Sequence, residues 1–286
     1  MQTTKPTIGF IGQGFIGSAY SNNFESHGYQ VVRYDITEKW RGNKEQIKNC
    51  DIVFVAVPTP TTPKGFDASI LEDAITVTGD QIIVIKSTIP PNLPRELQTK
   101  YPNKVILHSP EFLTEVTAQH DADNPLRNIV GYVAGFDDFK AKAAAELALS
   151  VLPKAPYELI TTAETASLIK YGGNCFLYSK VMLMNTLYDI AAANGANWEE
   201  MTDAMGNDPR VGKTHMHVAH LGGRGAGGNC FVKDMAAFRE MYEKHCTNLS
   251  HATNAVQYLK QMEKFNLDLL KETNKSQNLV KGVYGE

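Results

Sequence analysis

Cysteine is scarce in this chain: Cys50, Cys175, Cys230 and Cys246 are the only four, widely spaced and with no Cys-x-x-Cys pair. That spacing argues against a disulfide framework and a zinc ribbon, and it points to a reducing, cytoplasmic protein. No apolar run is long enough to cross a bilayer. The N-terminus MQTTKPTIGF runs almost directly into a strand pattern, without the charged segment and apolar core of a secretory leader. Nor is there a long basic run: 28 Lys and Arg against 31 Asp and Glu give a formal net charge of −3. Such a balance disfavours nucleic acid and anionic membrane as partners and leaves a small molecule. What is present is ordinary for a soluble protein, 43% hydrophobic and 21% charged over 286 residues, enough length for two domains.

The two halves differ in periodicity. From Thr7 to about Tyr157, short apolar runs alternate with helical stretches: TIGFIG, QVVRYD, DIVFVAV, QIIVIKST, KVILHS, NIVGYVAG and PYELI. Short β-branched runs separated by helical segments indicate βαβ units and a mostly parallel sheet buried on both faces. From Thr161 the pattern turns to long helices, the longest starting at AETASLIKYGGNCF. Thr161 with Glu164 three residues on fits a capping box at its start. The fold class expected is α/β: a Rossmann-like doubly wound sheet over residues 1–157, then an all-helical domain over 158–286 with a long central helix.

Gly12, Gly14 and Gly17 form G-x-G-x-x-G after the strand IGFI, with Phe15 and Ile16 opening the helical stretch and Asp35 closing the next strand. The glycines permit a tight turn and close approach of backbone to a pyrophosphate, and the helix N-terminus favours its charge. Asp35 would bond a ribose hydroxyl and repel a 2′-phosphate, which favours NAD over NADP; Arg33, Lys39 and Arg41 stand nearby. Ligands of such sheets lie beyond the carboxyl ends of the strands. Three motifs fall there: VAVPTP with Val57 and Pro58, KSTIPPN with Thr88, and SPEFLTE with Glu111 and Glu115. For Pro58 an ordinary strand-ending turn is the better reading.

The run GRGAGGNCFVKDM delivers Cys230 to the expected start of a helix that also carries Lys233 and Asp234. Helix N-termini and cations favour the thiolate, the nucleophilic form. Asp234, four residues on, would share a helix face with the sulfur as a candidate base. A buried packing cysteine after a flexible loop is the plainer alternative.

Seven motifs in order, GFIGQGFIG, DIVFVAVPTP, KSTIPPN, SPEFLTE, AETASLIKYGGNCFLYSKVMLMN, GNDPRVG and GRGAGGNCFVKD, resemble the UDP-glucose/GDP-mannose dehydrogenase family. The resemblance implies oxidation of the C6 alcohol of a nucleotide sugar to the carboxylate with two NAD in succession. It makes Cys230 the nucleophile, Lys170 and Asn174 the oxyanion partners, and Asp234 the acceptor of the alcohol proton. Glu111 with Thr88 would position the hydrolytic water. Phe112, Leu113, Glu115 and Gly227 are carried over as substrate-loop residues, with Val116 standing where the family usually has glycine. Arg210 would reach substrate in a neighbouring subunit, and the helix from Thr165 to Ala193 would form a homodimer interface. Without the resemblance, Lys170 reads as a solvated helix lysine.

The match breaks in two places. The family normally continues into a second dinucleotide-type domain, so the resemblance implies weakened substrate binding, or completion by a separately encoded domain. The segment KTHMHVAHLGGRG is about four residues longer than the family spacing. Its His215, His217 and His220 lack the helical i, i+4 pairing of a zinc protease and read as substrate-loop or surface residues, not metal ligands. Cys50 and Cys175 read as packing residues. Two other functions stay open: a catalytically impaired NAD-binding or assembly protein, and a two-domain β-hydroxyacid dehydrogenase. Among substrates UDP-glucose leads, with UDP-N-acetylmannosamine, UDP-N-acetylglucosamine and GDP-mannose behind.

Overall fold

The structure is a computed structural model that describes residues 5–220 and 222–285, the Asn229 side chain excepted. The chain forms two compact units: residues up to Thr59 with Asp67–Lys170, and Pro60–Phe66 with the residues from Tyr171 onward. In chain order the strands are β1 Ile8–Ile11, β2 Val31–Tyr34, β3 Ile52–Val55, β4 Thr61–Thr62, β5 Gly65–Phe66, β6 Ile82–Ile85, β7 Val105–His108, β8 Arg127–Tyr132 and β9 Tyr157–Thr162.

The first unit is built on a seven-stranded sheet ordered β2-β1-β3-β6-β7-β8-β9, parallel except where β7 meets β8. All seven runs picked out by periodicity are strands of this sheet. Its middle strands β1, β3 and β7 are buried at every residue, because helices cover both faces. Those helices are α1 Phe15–Ser26, α2 Ser69–Thr76, α3 Leu93–Lys100, α4 Ala118–Asp123 and α5 Asp138–Val151. Phe10, Phe24 and Phe54 pack as a ring cluster with centroids 5.0 to 5.5 Å apart; each such buried side chain is worth ~1.5–3 kcal/mol.

The sheet runs past residue 157, since β9 stays paired with β8 as far as Thr162. The helix that follows, α6 Ala163–Ala193, therefore starts one residue later than a Thr161 cap would require. Thr161 is held in the ladder opposite Gly131, and the Thr162 hydroxyl accepts the Thr165 N–H at 3.3 Å instead. Glu164 is drawn off to Arg95, 2.9 Å away. Helix and strand can meet this closely because Gly131 has no side chain: a Cβ there would lie 2.7 Å from the Ala163 Cα.

The second unit takes α6 from Tyr171, then α7 Trp198–Gly206, α8 Gly228–His245, α9 Ala252–Glu272, α10 Gln277–Tyr284 and the β4–β5 hairpin. Tyr178, Val181 and Met182 of α6 pack with Met235 of α8 and Leu259, Met262 and Leu269 of α9. A second cluster joins Val232 and Ala236 to Leu270, Val280 and Val283. Among the described residues no helix is long and apolar enough to cross a membrane.

Candidate functional site

In the first unit the turn after β1 is closed by its glycines. Gly12 has φ +89°, and a Cβ on it would lie 2.3 Å from the Ala56 carbonyl oxygen; one on Gly17 would lie 1.9 Å from the Gly12 oxygen. Gly14 is different: nothing stands within 4 Å of where its Cβ would be. Phe15 and Ile16 open α1, whose first turn has neither a capping side chain nor an acid, so its dipole presents a positive end. The cradle beside Gly14 and that helix end fit a pyrophosphate. Asp35 steadies the turn, accepting the Gln13 N–H at 2.7 Å and the Thr37 N–H at 2.9 Å. Arg33 is turned to Glu25 at 2.6 Å and its side chain is 11% exposed, so it is not offered to a 2′-phosphate. Ile36, passed over in the sequence, follows Asp35 and is 87% exposed.

The motifs after β3 and β6 are laced together. Val57 N–H donates to the Ser87 hydroxyl at 3.1 Å, Ser87 donates to the Val57 oxygen at 2.6 Å, and the Thr59 hydroxyl donates to the Thr88 oxygen at 2.8 Å. Val57, Pro58 and Thr88 are thus held on one sheet edge. After β7, Glu111 meets Lys170 of α6: the ammonium donates to Oε1 at 2.9 Å, with both side chains at most 5% exposed. Leu113 N–H donates to the other carboxylate oxygen at 2.6 Å. The Phe112 ring centre is 4.0 Å from the Arg127 guanidinium and 5.6 Å from the Lys170 ammonium. Glu111, Phe112, Leu113 and Lys170 form one cluster, and Lys170 is not a solvated helix lysine. Glu115 is exposed in the short turn that follows.

Two members of this network went unread in the sequence. Lys86, just after β6, is buried with its ammonium 3.3 Å from the Ser109 hydroxyl and 4.5 Å from the Tyr20 ring centre. Burial pulls its pKa down to about 7, against the opposing pull of Glu111. His108 places one ring nitrogen 3.2 Å from the Ser87 carbonyl oxygen and the other 2.8 Å from the Ser167 hydroxyl. Both ring nitrogens are thus hydrogen-bonded inside the fold. Burial pushes this imidazole down to about 4. The available signal was a polar residue closing each β-branched run, QIIVIK and KVILH.

In the second unit, Gly227 is the N-cap of α8 and Gly228 takes φ +82°. Cys230 follows in the first turn, half-buried, where neither a capping side chain nor an acid offsets the helix dipole. Asp234, 1% exposed, accepts from Asn174 Nδ2 at 2.6 Å through one oxygen and pairs with Lys233 through the other. Thr61 of the hairpin donates to the Lys233 carbonyl at 3.1 Å. Asn174 and Asp234 are therefore brought together. The other cysteines sit differently: burial pushes the Cys50 thiol up to about 11 and the Cys175 thiol up to about 12, and Cys246 caps the far end of α8.

Arg210 is not gathered into either cluster. Its side chain is 88% exposed and bonded to Asp208 in its own turn, which Lys180 fixes by donating to the Val211 and Gly212 oxygens. His215 rests against the Phe231 ring at 5.6 Å with a left-handed φ of +62°, and His220 bridges to Gly223. Among the described residues no three His, Cys, Asp or Glu side chains gather as a metal site.

Comparison with known proteins gives this geometry its context. The NAD binding domain of the UDP-glucose/GDP-mannose dehydrogenase family matches residues 40–146, and its central domain matches residues 164–267. A UDP-glucose 6-dehydrogenase from Rickettsia prowazekii is 31% identical over 241 residues, spanning 80% of this chain and 53% of its own. The chain spans about half the length of the curated relatives it matches. Among solved structures, a UDP-glucose dehydrogenase from the hyperthermophilic archaeon Pyrobaculum islandicum superposes with TM-score 0.77 at 25% identity, over 95% of this chain and 72% of that one. A 3-hydroxyisobutyrate dehydrogenase from Mycobacterium tuberculosis shares the fold, with TM-score 0.67 at 16% identity over 93% of this chain and 96% of that one. Since two successive domains of one family account for most of its length, the chain belongs to the UDP-glucose/GDP-mannose dehydrogenase family, with NAD as its cofactor.

Proposed function

We propose that the chain oxidises the C6 alcohol of a nucleotide sugar, UDP-glucose first among candidates, to the carboxylate through an intermediate held on Cys230. The observation that carries this reading is Cys230 in the uncapped first turn of α8, with Asp234 four residues on and pinned by Asn174 and Lys233. NAD, when bound against the Gly12–Gly17 turn, supplies the hydride acceptor for each oxidation.

In this reading Asp234 takes the alcohol proton as the first hydride leaves, giving the aldehyde. An aldehyde donates hydride poorly. The Cys230 thiolate adds to its carbon, forming a C–S bond and an oxyanion, and the tetrahedral carbon can then lose the second hydride to leave a thioester. Lys170 and Asn174 stabilise the oxyanion; Lys170 is an ammonium with three donors, one of them oriented by Glu111. Water positioned by Glu111 and Thr88 breaks the C–S bond and releases the carboxylate and the thiolate. Phe112, Leu113, Glu115 and Gly227 would line the sugar.

The same reading makes the protein a homodimer, with Arg210 serving a neighbouring subunit. Supporting it, α6 exposes Phe176, Leu183 and Ile190 at 69%, 58% and 55%, seven residues apart along one stripe. Single exposed apolar residues are ordinary, but a stripe at heptad spacing suits a packed helix pair.

NADH absorbance against UDP-glucose, UDP-N-acetylmannosamine, UDP-N-acetylglucosamine and GDP-mannose tests the proposal. Two NADH per sugar with one of them is the expected result. NAD binding without sugar-dependent NADH from any of the four would overturn it in favour of a binding or assembly protein.

A further inference from the structure

We propose that the segment joining α9 to α10 is a clamp that sets the nucleophile: Lys275, with Asn266 and Thr273, holds the glycine-rich loop in the path that presents Cys230. This rests on the reading of Cys230 as the nucleophile and assigns Lys275 as its positioning residue.

The main chain of the loop is bonded from this side, while the Arg224 side chain reaches α6, donating to Asn185 Oδ1 at 2.9 Å and pairing with Asp189 at 2.8 Å. Lys275, 7% exposed, donates to the Gly223 oxygen at 3.2 Å and to the Gly225 oxygen at 2.9 Å. Asn266 holds Ala226 from both sides, accepting its N–H at 2.7 Å and donating to its carbonyl at 3.0 Å. Thr273 accepts the Arg224 N–H at 3.1 Å, and Ser276 accepts the Gly228 N–H at 3.4 Å. Every residue from Gly223 to Gly228 except Gly227 is thus tied at its main chain to this segment or, for Ala226, to Asn266 within α9, and α8 starts where the ties end. Gly227 is held by shape.

The glycines serve close approach here. A Cβ on Gly223 would stand 2.5 Å from the Thr273 hydroxyl, one on Gly225 2.9 Å from Asn266 Oδ1, and one on Gly227 2.6 Å from the Ser276 hydroxyl and 2.9 Å from Lys275 Cε. The alternation in G-R-G-A-G follows from these three contacts and, at Gly225, from a left-handed φ of +84°, not from a need for flexibility. Asn274 and Ser276, on either side of Lys275, adopt left-handed φ of +52° and +55°. At Asn274 this closes α9: its N–H donates to the Lys271 oxygen at 3.1 Å and the Lys275 N–H donates to the Leu270 oxygen at 2.8 Å, a helix C-cap in which asparagine readily takes the left-handed conformation. Lys275 therefore stands at the residue after that cap, where the chain leaves α9.

The test needs neither sugar nor turnover. In Lys275→Met of the full chain, amide hydrogen exchange at residues 222–230 should quicken about tenfold, the scale of losing hydrogen bonds from a charged donor. Iodoacetamide alkylation of Cys230, read by peptide mass spectrometry, should slow by about the same factor as the first turn of α8 frays and the thiolate loses its helix end. NAD affinity should be unchanged, and Lys275→Arg should restore part of both rates. Unchanged exchange and alkylation in Lys275→Met would overturn the proposal. So would a rise in exchange spread evenly over α6, α8 and α9, or failure of Lys275→Arg to restore either rate. If Lys275→Met does not fold, Thr273→Val carries the test: a slowing of Cys230 alkylation by about twofold to threefold is expected from one lost neutral bond, and no change overturns the clamp. Should Cys230 prove not to be the nucleophile, turnover in Cys230→Ser would reveal it while these exchange rates stood.

Discussion

Glu111 in the first unit and Asp234 in the second are each held by a lysine ammonium and one further N–H, but the partners come from different places. The lysine at Glu111 is Lys170, 59 residues away, and the second donor is the main chain of Leu113. At Asp234 the lysine is its neighbour Lys233, with a 23% exposed side chain, and the second donor is the side chain of Asn174. The first arrangement can exist only when α6 has docked on the end of β7, so the fold dictates it. The second is made by side chains that can reorient without moving backbone, as the proton-accepting role proposed for Asp234 requires. Burying an ion pair adds little stability, whereas breaking one leaves a charge stranded.

That contrast can be broken by removing one partner from each cluster. Lys170→Met should have the largest effect: with Glu111 left buried and unpaired, urea denaturation should show a loss of ~3–5 kcal/mol. A loss under ~1 kcal/mol would mean that the pair is as adjustable as the second one.

His108 sharpens the comparison through pH. Its folded pKa is depressed from 6.5 to about 4, so the fold binds fewer protons than the unfolded chain in that window. Stability from this residue is fully present above pH 6.5 and is lost as pH falls through 4, in total ~3 kcal/mol. The fall in unfolding free energy between pH 6.5 and 4 should therefore be shallower in His108→Gln than in the parent; equal slopes would mean that the imidazole is not held neutral.

Asn174→Ala should disturb the fold least. One donor to Asp234 is lost while Lys233 remains, so urea stability should fall by ~1 kcal/mol. Sugar-dependent NADH formation should fall much further, by about a hundredfold if Asn174 also serves the oxyanion. A fall in turnover no larger than the stability change explains would confine Asn174 to orienting Asp234.

Much of the first unit was legible in the sequence because its elements are local patterns. Seven β-branched runs became seven strands, and G-x-G-x-x-G became a turn whose outer glycines touch backbone. Trp198–Gly206 could be read as a helix directly, its start fixed by the Asn197 side chain. What was hidden depended on partners far along the chain. Nothing in QIIVIKST says that Lys86 is covered by Tyr20, and nothing in KVILHS says that Ser167 reaches His108. The hairpin Pro60–Phe66 looks like part of the sheet domain by order, yet it groups with the helical unit through contacts to α8 and α10. GRGAGG reads as a flexible run until Thr273, Asn266 and Ser276 are seen against its glycines. Cys230 itself was legible because a helix start is local; the segment that holds its loop was not.

The covalent role proposed for Cys230 is tested most directly by counting NADH per molecule of UDP-glucose in Cys230→Ser. The parent should yield two NADH per sugar, and the variant no more than one, stopping at the aldehyde. Two NADH per sugar from Cys230→Ser at the parent rate would contradict the covalent mechanism.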